Sequence, residues 1–161
     1  MNEGFRKFFS SSQKDRVDTF LSASQRLGTN AQYIEKDFWV CWTLDVLYHG
    51  LPDGGPRLLF KGGTSLSKGY GLIDRFSEDI DITAFREDLN QAISAEELEA
   101  LSGNKRRAKL DAIRDACQAW VRGALREGVT ARKKLARRKA VSDLTIRTPM
   151  DRPCWCCIPL S

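Results

Sequence analysis

The chain is poor in several residues that would mark other classes of protein. It has one histidine in 161 residues, His49, which leaves histidine-rich metal centres without ligands. Its five cysteines are Cys41, Cys117, Cys154, Cys156 and Cys157, and three of them crowd into one CWCC stretch. No second Cys/His pair accompanies that stretch, so it lacks zinc spacing, and the odd count argues against a disulfide framework. No apolar run approaches the roughly 20 residues a membrane span needs. The opening MNEGFRKFFSSSQKDR has no apolar core of the kind a secretory signal requires, so the expectation is a cytoplasmic protein with no membrane association.

What is present is an ordinary apolar fraction, 42%, in a chain long enough for one domain with a buried core. The net charge of +5 is uneven. Residues 1–122 carry 17 Lys and Arg against 18 Asp and Glu, a net of −1; residues 123–161 carry 9 against 3, a net of +6. The reading is therefore a portion over 1–122 and a basic, cysteine-rich tail over 123–161. Such a tail can contact nucleic acid.

Residues 13–27 and 33–48 read as helices; in the second, Ile34, Phe38, Cys41, Trp42 and Val46 recur on one face. Trp39 and Trp42 read as core, and His49 as a helix-end or loop residue. Gly50 to Pro56 is a loop by its glycine and proline content. The run 57–60, RLLF, reads as a short buried strand, broken by Gly62-Gly63. Thr64-Ser65 then caps a short helix to about Gly69. Residues 79–85, DIDITAF, fit a half-exposed strand. Ser94 with Glu97 has capping-box spacing ahead of a helix over 94–101, and 104–126 reads as a long charged helix. Helices, then strand–turn–helix–strand, then helices again predict an α+β fold with N-terminal helices and a small mixed sheet.

The chemistry concentrates in residues 60–82. On a strand, Asp79 and Asp81 point to one face while Ile80 and Ile82 point to the other. Two adjacent carboxylates repel unless a cation lies between them, and Mg²⁺ favours carboxylate oxygen. Gly62-Gly63 lets backbone approach a phosphate closely because no Cβ intrudes. Thr64 and Ser65 add hydroxyls, and Lys61, Lys68 and Arg75 can balance phosphate charge. No Gly-Lys-Ser/Thr follows the glycines at P-loop spacing. Alone, an acidic–x–acidic strand is usually a solvated face and Gly-Gly usually a turn, while Lys68 and Arg75 read first as surface charge; the motifs gain meaning only together.

The stretch FKGGTSLSKGYGLIDRFSEDIDIT, with EKDFWVCWTLDVL upstream, resembles the AbiEii/AbiGii family of nucleotidyltransferase toxins, which includes MenT-type toxins. The motif resemblance is strong over residues 33–86 and fades toward Trp120. It implies a DNA polymerase β-like nucleotidyltransferase core. It implies Mg²⁺-dependent transfer of a nucleotide from NTP to an acceptor, for MenT-like members the 3′ end of tRNA, within toxin–antitoxin or phage-defence systems with a separately encoded antitoxin. By motif, Gly62, Gly63, Thr64, Ser65 and Lys68 would hold the triphosphate, Ser77 would support that loop, and Asp79 and Asp81 would hold the metals and carry catalysis. Lys36 and Asp37 match a recurring family segment without an assigned role.

The family is longer than this chain, and its later half supplies a basic residue and a further carboxylate with no counterpart after residue 123. The expectation is a truncated member. The alternative is an inactive fragment that binds NTP–Mg²⁺ or nucleic acid without catalysis. One choice of codons for TPMDRPCWCCIP, read one base earlier, gives DPDGQTLLVLYP, a turn followed by an apolar strand. This predicts a change of reading frame between about Gly123 and Arg147.

Overall fold

The computed structural model describes residues 2–72 and 79–137, with the side chains of the last helix described to residue 134. The order is α1 (Glu3–Ser10), α2 (Gln13–Leu27), α3 (Ala31–His49), β1 (Leu58–Lys61), α4 (Gly62–Lys68), β2 (Asp81–Ala84), a 3-10 turn (Arg86–Leu89), α5 (Ala95–Ala100), α6 (Gly103–Trp120), a π-helical segment (Val121–Leu125) and α7 (Arg126–Arg137). The described residues divide into two compact units. One holds 2–51, 61–72, 79–81 and 128–137; the other holds 52–60 and 82–127. No helix among the described residues is long and apolar enough to cross a membrane.

The first unit is built on aromatic packing. Phe5, Phe8 and Phe9 recur at helical spacing along α1, and Phe38, Trp39 and Trp42 do so along α3. Phe9, Trp42 and Val46 are almost wholly buried, with Phe5, Phe8, Phe38, Trp39 and Val129 packed against them. The rings meet largely edge to face: Phe5 on Phe38 at 5.3 Å, Phe9 on Trp42 at 6.2 Å, Trp39 on Trp42 at 5.6 Å. Such pairs are worth about 0.5–1.5 kcal/mol each beyond area burial. Helix ends are well specified. Ser12 and Asp15 form a reciprocal capping box on α2, and Gly28 closes it in the left-handed region. The buried Arg16 donates to the Ser11 carbonyl at 2.9 Å, just beyond α1.

The second unit is smaller in its chemistry. Its buried apolar side chains are Ala84, Leu98, Ile113 and Cys117. The Ser94–Glu97 capping box predicted for α5 forms both of its bonds, at 2.8 and 3.1 Å. Arg106 of α6 donates to the Leu98 and Glu99 carbonyls and so satisfies the far end of α5. Arg57 bonds Asp88 through its Nε and its backbone N–H, both at 2.8 Å, and lies over the Phe85 ring.

The α+β expectation holds, but the sheet among the described residues is two antiparallel strands rather than a mixed sheet. β1 is not fully buried, since Leu59 faces solvent. The sequence reading has no helix before residue 13, yet α1 is there, with Asn2 capping its N-terminus. The long helix predicted to end at 126 runs on to Arg137 through the π segment. The division placed at 122/123 therefore falls inside continuous helix. No proline lies between Pro56 and Pro149, and the two glycines inside this stretch, Gly123 and Gly128, each cost a helix only about 1 kcal/mol. The local response is a π segment. Within the first unit, Val129 packs on the aromatic cluster and Arg132 donates to the Gly50 carbonyl at 2.9 Å. Residues to at least Arg132 are thus tied into the first unit. The CWCC cluster lies outside the described residues.

Candidate active site

β1 ends at Lys61 and α4 starts immediately at Gly62. That junction needs glycine twice over. Gly62 has φ +76°, in the left-handed region that L side chains avoid. A Cβ there would also overlap the Asp81 carboxylate, with Asp81 Cγ at 3.0 Å from the added carbon. The Asp81 side chain thus lies against the bare α-carbon of the turn.

Thr64 and Ser65 are buried in the first turn of α4, at 1% and 6% exposure. The expectation that they cap the helix is corrected: Lys61 holds the cap position and makes no side-chain cap bond. The Thr64 hydroxyl donates to the Asp79 carbonyl, and the Ser65 Oγ donates to the Gly62 carbonyl at 2.8 Å. Each hydroxyl has one proton, so both are committed to backbone. Thr64 locks the turn to the approach of β2, and Ser65 tightens the turn itself.

β2 is Asp81–Ala84, so Asp79 precedes the strand rather than opening it. The expected alternation survives: Asp79 and Asp81 are exposed, while Ile80 and Ile82 are half-buried. Two exposed carboxylates beside a close-approach turn fit Mg²⁺ of the kind completed by substrate phosphates and water, not an all-protein cage. No group of three or more His, Cys, Asp or Glu side chains is gathered for a metal among the described residues. Ser77 and Arg75 lie outside the described residues.

Lys68, placed by sequence with the triphosphate, ion-pairs with Asp37 of α3. Sequence reasoning missed that pairing, although Asp37 lies in the segment EKDFWV that carried the resemblance. Cys41 follows Asp37 by one helical turn. Burial pushes its thiol pKa up, Asp37 pushes it further, and Lys68 opposes them. His49 ends α3 as expected, exposed and 3.4 Å from Asp45.

Neither the curated proteins nor the solved structures contain a match to the chain. The sequence profile of the AbiEii nucleotidyl transferase toxins matches residues 45–152. It begins within α3, after the EKDFWV segment, and continues well past Trp120, where the motif resemblance faded. Over two thirds of its length, then, and including the Gly62–Ser65 turn with Asp79 and Asp81, the chain belongs to the family of AbiEii nucleotidyl transferase toxins of type IV toxin–antitoxin systems.

Proposed function

We propose that this protein transfers a nucleotide from NTP to an acceptor hydroxyl on RNA, the 3′ end of tRNA, as the toxin of a pair whose antitoxin is a separate cytoplasmic chain. The fold that serves this is a DNA polymerase β-like nucleotidyltransferase core. One observation carries the reading: a left-handed glycine turn, exposed at Gly62, is packed against one carboxylate, Asp81, and tied through Thr64 to the residue bearing the other, Asp79.

The electrostatics explain why these parts belong together. A triphosphate next to two carboxylates is strongly repelled in the absence of a cation. Mg²⁺, when bound, neutralises that charge and stabilises the attacking and leaving oxygens. Gly62 and Gly63 let the phosphate chain lie close to backbone, and Asp79 and Asp81 supply oxygen from the open side. The acceptor hydroxyl gives up its proton to water, and its oxygen forms a bond to the α-phosphorus as the α–β bridging bond breaks. Pyrophosphate leaves in line, still facing the Gly62–Ser65 turn.

Incubation with labelled NTPs, Mg²⁺ and total tRNA tests this directly, with Asp79→Ala/Asp81→Ala as control. Label should appear on tRNA with the wild-type chain and vanish with the control. Mg²⁺-dependent NTP binding without transfer would instead identify a binding fragment, and the absence of both binding and transfer would remove the nucleotidyltransferase reading altogether.

A further inference from the structure

Helix α4 has seven residues, Gly62–Lys68. A helix that short does not hold itself together in water, so its placement comes from tertiary ties. A hydrogen bond and an ion pair to other elements are among these ties, and they sit at different points along its axis. The Thr64 hydroxyl holds the near end to the Asp79 carbonyl. The Lys68 ammonium holds the far end to the Asp37 carboxylate. At 1.5 Å per residue, Thr64 and Lys68 are about 6 Å apart along the helix. One tie leaves a short rod free to pivot; two ties spaced along it set its direction. The second tie is not an ordinary surface pair, because its side chains keep only 28% and 32% of their exposure, which limits solvent and salt screening.

We propose that Asp37 is a positioning residue for the phosphate-gripping turn: by holding Lys68 it fixes the axis of α4 and so keeps Gly62 seated against Asp81. This rests on the nucleotidyltransferase reading of that turn. It assigns Lys68 to the fixing of α4 through Asp37 rather than to direct grip on the triphosphate. It also gives the EKDFWV segment a task, although that segment contributes no group to the reacting atoms.

Cys41 reports on the pair without any need for catalysis, because Asp37 and Lys68 act on its thiol in opposite directions. In the full chain, the pH profile of Cys41 alkylation is followed by mass spectrometry of its peptide. Asp37→Asn should shift the profile to lower pH and Lys68→Met to higher pH. Shifts of the same sign in both variants would mean general loosening and would overturn the assignment. Amide exchange of residues 62–68 should quicken about tenfold in both variants, as expected for one lost charge-assisted tie; unchanged exchange would also overturn it. In the transfer assay, Asp37→Asn should raise KM for NTP about tenfold. Asp37→Glu should restore most of it, and Asp37→Lys combined with Lys68→Asp should restore part. An unchanged KM in Asp37→Asn, or a Glu variant as defective as Asn, sinks the proposal. A wild-type chain that transfers no label fails the nucleotidyltransferase reading instead, and the alkylation and exchange profiles then decide the pair alone.

Discussion

The two units of this protein solve the same problem with different materials. The unit containing α1–α4 buries rings: Phe9 and Trp42 are almost wholly enclosed, with Phe5, Phe8, Phe38 and Trp39 around them. The unit containing α5 and α6 buries little more than Leu98, Ile113, Cys117 and Ala84, and relies on well-made helix ends and polar ties such as Arg106 and Arg57. Every described candidate residue, from Asp37 and Gly62 to Asp79 and Asp81, lies in the aromatic unit. A short helix presenting a left-handed glycine needs a stiff base, and interlocked rings supply stiffness that a few aliphatic contacts do not.

Core truncation probes that contrast first. Trp42→Ala should cost about 3–5 kcal/mol and Ile113→Ala about 2–5 kcal/mol. Amide exchange, followed separately in α3 and α6, should show each loss concentrated in its own unit. Equal loosening of both by either substitution would mean one cooperative block, and the distinction would break. Gly62→Ala separates site from base. Placing an L residue at that φ costs about 1–3 kcal/mol, so the chain should still unfold cooperatively. Displacing Asp81 should nonetheless lower label transfer on the order of 10²-fold. A fully active Gly62→Ala would show that the Asp81 contact is incidental. The smallest effect belongs to the other unit. Hydrogen bonds from Arg57 hold the Asp88 carboxyl below its usual pKa. A carboxylate depressed in the fold adds stability above its unfolded value of about 4, and that increment is lost as pH falls through the folded value. The fall in thermal midpoint with acid should therefore be slightly shallower in Arg57→Ala. Identical slopes would show that this exposed pair contributes nothing.

Several elements were legible because their signals are local. The span of α2 and the Ser94–Glu97 box of α5 follow from residues within a few positions of each other. The strand–turn–helix–strand order around Gly62 was equally readable. α1 was missed although its signals were there: Asn2 ahead of Glu3, and phenylalanines at 5, 8 and 9. Eight residues are too short for periodicity to declare itself against a terminus expected to be irregular. The hydroxyls of Thr64 and Ser65 were assigned to phosphate because residue type shows what a group can donate, not which acceptor is nearest. Their acceptors are the carbonyls of Asp79 and Gly62, fixed only once the chain folds back on itself.

Sequence by itself determined the parts list: a glycine pair for close backbone approach, two carboxylates on alternate residues, and the family they imply. These follow from side-chain chemistry and short spacing, which survive in one dimension. Tertiary structure decided how the parts meet. Gly62 must be glycine because Asp81, nineteen residues on, occupies the space a Cβ would need. Lys68 acquires Asp37 as its partner from thirty-one residues upstream. Contacts of that separation depend on where helices cross, and helix crossing is set by the packed aromatic core rather than by any residue's own preference.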